Sequence, residues 1–66
     1  MSDQSIRSFE TAVEKDPKNP VFHYHLGMAR LKAGDRTEAR KALEEALTLQ
    51  SNFPDAANAR AALARL

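Results

Sequence analysis

Residues 26–46 read LGMARLKAGDRTEARKALEEA, and the fold turns on how this stretch is punctuated. Gly34-Asp35 separates two segments whose apolar residues recur at helical spacing. Glycine readily takes the left-handed conformation that ends a helix. Asp35 then offers an oxygen to the free N–H groups of a new helix, and Glu38, three residues on, completes an acidic capping box. A stop followed at once by a restart is predicted. So short a turn leaves the two helices as antiparallel neighbours, an αα-hairpin.

The upstream helix is expected over residues 20–33. Asn19 is a good N-cap, and Pro20 suits a first helical position that needs no N–H. Phe22, Leu26, Ala29 and Ala33 form one row, with Met28 and Leu31 beside it. The downstream helix is expected to run to about Leu49 on a stripe of Ala39, Ala42, Leu43, Ala46, Leu47 and Leu49. Before the hairpin, Ile6, Phe9, Ala12 and Val13 share a face of a helix over residues 3–15, capped by Ser2 or Asp3. Asp16-Pro17 stops it, because a residue before proline is pushed out of the α region. Gln50-Ser51-Asn52 reads as a turn, and Pro54 as the opening of a fourth helix that reaches residue 66. The expectation is an all-α chain of about four helices.

Composition narrows the function. A length of 66 residues allows one domain and a marginal core. There is no cysteine, so disulfides, thiolate metal sites and cysteine nucleophiles are excluded. No apolar run is long enough to span a bilayer, and the start MSDQSIRSFE is not a signal peptide. A cytoplasmic location is the expectation. Formal net charge is +1, with the signs mixed: Arg36, Glu38, Arg40, Lys41, Glu44 and Glu45 follow one another along one segment. That pattern suits a solvated helix face better than a phosphate-binding surface. A helix-turn-helix DNA binder around AGDRTEARKAL is therefore a remote alternative, since phosphate contacts dominate DNA affinity.

Shifted by 34 residues, the chain pairs with itself. Phe9 meets Leu43, Glu10 meets Glu44, Ala12 meets Ala46, Val13 meets Leu47 and Pro20 meets Pro54. The first helix is thus an earlier copy of the third, and the fourth begins as a later copy of the second. Small Gly27, Ala39 and Ala46 let helices approach, while Leu26, Leu43 and Phe9 fill the gaps. A bulky residue at Gly27 or Ala39 is expected to overpack the contact, by roughly 1–3 kcal/mol.

Leu26-Gly27, the Gly34-Asp35 turn, Ala39, Leu43 and Ala46 resemble the tetratricopeptide repeat (TPR) family. Phe9, Ala12 and Pro17 match the aromatic, alanine and proline of a preceding half repeat. The resemblance implies antiparallel helix hairpins of a right-handed α-α superhelix. It divides the single domain 1–66 into a half repeat at 3–15, a complete repeat at 20–50 and a capping helix at 54–66. His23 and Arg30 depart from the family's Trp and Tyr, Ser51 replaces its proline, and Arg60-Ala61 replaces a second Leu-Gly. Asn58, Arg60 and Arg65 can give the fourth helix the polar outer face that a cap requires.

His23-Tyr24-His25 invites a metal or acid–base reading, but residues at i and i+2 point to different sides of a helix. A metal needs three or four ligands, and the local sequence offers one at a time. No metal, cofactor or enzyme activity is expected. In the resembled family the first helix of each repeat lines a concave groove that takes peptides. That implies Val21, Tyr24, His25, Met28, Leu31 and Lys32 as partner-binding candidates, unless Tyr24 and Met28 pack on a neighbouring helix instead. The Lys and Asn clamp of chaperone-binding members is absent, because Tyr24, His25 and Met28 stand at the corresponding positions. The expected function is a non-catalytic scaffold binding a protein or peptide partner. The alternative is a structural spacer or a self-associating fragment of a longer array. With one side of Ile6, Phe9 and Val13 left uncovered, a homo-oligomer through the N-terminal helix edge is a further expectation.

Overall fold

Asn19, Pro20, Gly34 and Asp35 mark the helix boundaries in space as they do in sequence. The computed structural model describes the chain from residue 2 to residue 66, with side chains from Gln4 onward. The expected Ser2 or Asp3 cap lies outside the described side chains. Four helices follow one another: α1 (Ser2–Lys15), α2 (Pro20–Lys32), α3 (Arg36–Leu49) and α4 (Ala56–Ala64). The described residues contain no strand.

The Asn19 side chain accepts a hydrogen bond from Val21 N at 2.9 Å, which satisfies one free donor at the start of α2. At the far end Gly34 has φ +90°, the left-handed region that glycine tolerates. Gly34 N–H donates to the Leu31 carbonyl at 3.0 Å, and Asp35 N–H to the Arg30 carbonyl at 2.9 Å. These two bonds make a Schellman motif, so α2 stops at Lys32 and Ala33 becomes its cap. Asp35 Oδ1 accepts from Glu38 N at 3.2 Å and starts α3. The capping box is one-sided. The Asp35 N–H is already spent on Arg30, and Glu38 instead pairs with Lys41 Nζ at 3.3 Å.

The fourth helix starts later than its proline suggested. Pro54 belongs to a turn, Ala56 N–H donates to the Phe53 carbonyl at 2.9 Å, and α4 runs only to Ala64. The turn seats Phe53 in the core, where it is 3% exposed.

The helices pack in chain order, α1 on α2, α2 on α3 and α3 on α4, with the α2–α3 hairpin the most extensive pairing. Alanine makes up six of the ten buried hydrophobic residues described. Close approach of backbones, more than large side chains, therefore forms the core. One close approach is at Gly27. A Cβ there would stand 2.8 Å from Leu43 Cγ, 2.9 Å from Leu43 Cδ2 and 3.2 Å from the Ala39 carbonyl oxygen. Leu43, fully buried, fills the space that glycine leaves. Arg30 ties the first helix to this hairpin. Its guanidinium bonds Glu10 of α1 and lies 3.7 Å from Asp35 of the turn. The pair is partly solvated, so it adds at most about 1 kcal/mol, and its main effect is to fix how α1 lies on α2.

Candidate functional site

At 100° per residue, Val21, Tyr24, His25, Met28, Leu31 and Lys32 fall within an arc of about 120° on α2. The structure brings all six to one side of the helix but buries them unequally. Tyr24 is 9% exposed and belongs to the core cluster. Its ring packs tilted against Phe53, with centroids 5.9 Å apart. Val21, Met28 and Leu31 are partly buried against the same cluster and keep an open flank. Lys32 is exposed at the end of the helix. His25 is half-buried, because its ring stacks on Phe9 of α1 with centroids 5.4 Å apart and planes 18° apart.

The two histidines therefore serve different contacts. His23 Nε2 lies 2.7 Å from the Pro17 carbonyl oxygen, a hydrogen bond in which the ring nitrogen donates. That bond holds the α1–α2 turn against the first turns of α2. His25 completes an aromatic series, Phe9–His25–Tyr24–Phe53, that crosses α2 from α1 to the turn before α4. Among the described residues, no three His, Asp or Glu side chains come close enough to hold a metal ion. Among the described residues, no buried side-chain polar atom is left without a partner either.

Phe53 is the residue that sequence reasoning missed. It lies inside a turn, where periodicity carries no signal. One clue was available. The helix after it is mostly alanine, glycine-free and poor in large side chains, so something outside it has to fill the space beside it. The 34-residue register also extends the α2 arc onto α4 and its flanks: Asn58 corresponds to Tyr24, Arg65 to Leu31 and Leu66 to Lys32. Asn58 and Arg65 are exposed, and Arg60 donates to the Ser51 carbonyl, which anchors the turn to α4.

The arrangement is a ribbed helical surface with apolar ribs. Among the described residues, no helix is long and apolar enough to cross a membrane. No curated protein and no solved structure matches the chain. A family model does: the tetratricopeptide repeat model matches residues 3–66. Tetratricopeptide repeats are protein–protein interaction modules, generally without catalysis of their own. With nearly its whole length matched and the 34-residue register visible in its helices, the chain belongs to the tetratricopeptide repeat family.

Proposed function

We propose that the chain is a scaffold module that takes a partner peptide or helix on the open side of α2 and α4. The observation that carries this reading is the partial exposure of Val21, Met28 and Leu31 on one face, backed by buried Tyr24. A firm floor with apolar ribs binds an apolar segment at low conformational cost, because the ribs are already ordered. Met28 adapts its shape to the segment, and Lys32 and His25 flank it. Tyr24 acts here as the floor, since so little of it reaches solvent. In this reading 20–50 is the complete repeat, 3–15 a half repeat, and 54–66 covers the last hairpin. The module acts by positioning partners and performs no reaction.

Panning a peptide library against the 66-residue chain tests the proposal. Reproducible binders are expected, with affinity falling at least tenfold in Met28→Glu while helix content is unchanged. Val21→Glu should act likewise. Failure to recover any binder, or binders indifferent to both substitutions, selects the spacer role.

A further inference from the structure

Met28 is the one residue of the α2 arc that carries sulfur. The chain has no cysteine and no tryptophan, so the sulfur chemistry open to peroxide is confined to its two methionines, Met1 and Met28. Met1 lies outside the described side chains. Met28 stands in the middle of α2 and is half-buried: it packs against the core cluster around Tyr24 and keeps an open flank. Susceptibility to oxidation follows exposure, so a small oxidant reaches such a sulfur without unfolding the helix.

The helical neighbours of Met28 decide what an added oxygen would meet. Residues three and four apart share a face. On the N-terminal side these are His25 and Tyr24, and on the C-terminal side Leu31 and Lys32. Tyr24 is buried and Leu31 partly buried, which makes one side of Met28 apolar. Lys32 is exposed, and none of the described ion pairs uses it. Helical side chains lean toward the N-terminus of their helix, so the Lys32 ammonium can reach back over Met28. A thioether is a weak hydrogen-bond acceptor, whereas the oxygen of a sulfoxide is polar and accepts well. The oxidised side chain thus has a donor waiting on the solvent side of the ribs.

We infer that Met28 is a reversible oxidation site that turns off the partner-binding face of α2, with hydrogen peroxide as the oxidant and Lys32 holding the new oxygen. A lone pair of the Met28 sulfur attacks one peroxide oxygen, and the O–O bond breaks. The departing hydroxide takes the proton of the transferred oxygen and leaves as water. Sulfur is oxidised by two electrons to the sulfoxide, and the peroxide is reduced by two. A methionine sulfoxide reductase reverses the step, with the oxygen leaving as water and two thiols becoming a disulfide. Oxidation converts a rib that moulds itself to an apolar segment into a polar, chiral one. The partner would then have to cover both the sulfoxide oxygen and the ammonium bound to it. The inference rests on the proposed partner face and adds its regulation.

The test treats the 66-residue chain with dilute hydrogen peroxide and locates the added oxygen by peptide mass spectrometry. Met28 should oxidise in the folded chain at a rate within about tenfold of its rate in urea. A peptide recovered by panning should bind the oxidised chain more weakly by about tenfold or more, with helix content unchanged, and sulfoxide reductase should restore the affinity. Met28→Leu retains Met1 and serves as its own reference: whatever its affinity, peroxide should leave that affinity as it was. Oxidation should lower Tm further in Lys32→Ala than in the parent chain, because the donor is gone. A slower rate, an affinity indifferent to complete Met28 oxidation, an equal loss in Met28→Leu, helix lost on oxidation, or equal Tm losses in the two chains would each overturn the inference while leaving the partner face standing. Panning that yields no binder defeats the partner face itself, and the switch with it.

Discussion

Replacing Gly27 with alanine sets two known effects against each other. Inside a helix alanine is favoured over glycine by about 0.8–1.0 kcal/mol. Against that stands the contact with α3, where the new methyl would lie 2.8 Å and 2.9 Å from Leu43 atoms and 3.2 Å from the Ala39 carbonyl oxygen. Leu43 is fully enclosed and has no room to swing, and Ala39 presents backbone. Overpacking of this kind costs roughly 1–3 kcal/mol, and the closed surroundings place it in the upper half. The net expectation for Gly27→Ala is destabilisation by about 1–2 kcal/mol. For a domain of this size that lowers Tm by roughly 5–15 °C, read by far-ultraviolet circular dichroism. The decisive control is Leu43→Ala, which removes the two nearest atoms and leaves the Ala39 carbonyl oxygen as the remaining close contact. In that background Gly27→Ala should become stabilising, by up to about 1 kcal/mol, leaving a coupling of roughly 1–3 kcal/mol between the sites. Leu43→Ala itself costs about 2–5 kcal/mol, so the cycle is run with a stabilising osmolyte present. A rise in Tm for the single Gly27→Ala variant, or the same sign in both backgrounds, would refute the close-contact argument.

Other substitutions separate the remaining contributions. Gly34→Ala meets no atom within 4 Å, so any loss reflects the φ of +90° alone; about 1–2 kcal/mol is expected in urea titration, with Gly34→Asn recovering part of it. Phe53→Ala should cost about 3–5 kcal/mol, and hydrogen exchange should show α4 amides losing protection first. Glu10→Gln removes the ion pair to Arg30, and because Glu10 is 44% exposed the loss should stay below about 1 kcal/mol and shrink further in high salt.

The features visible in the sequence are those whose cause is local. Asn19-Pro20 and Gly34-Asp35 act within four or five residues, so the ends of α2 and the start of α3 could be read directly. The small residues at Gly27, Ala39 and Ala46 were legible because the apolar period assigns them to facing stripes. The features that were missed depend on distant partners. Phe53 is buried through Tyr24, and Arg30 is held by Glu10, twenty residues away. Pro54 looked like a helix start because prolines suit that position. Seating Phe53 instead uses residues 53–55 as a turn and delays α4 to Ala56. Tyr24 shows the limit for the candidate site. At the edge of the arc, a position's exposure is decided by the neighbouring element, and the α2 sequence carries no information about that element.

The tyrosine in the aromatic series has a practical consequence. The chain has no tryptophan and a single tyrosine, so Tyr24 is its sole strong near-ultraviolet chromophore. That chromophore sits where α2 meets Phe53, which makes it a built-in gauge of one junction. Far-ultraviolet dichroism sums over all four helices, whereas the near-ultraviolet tyrosine band follows this one ring. Coincident melts of the two bands would mean that the hairpin and α4 come apart as one unit. An earlier loss of the tyrosine band would show the last helix peeling away while the remainder keeps its order, and no label or added residue is needed to see it.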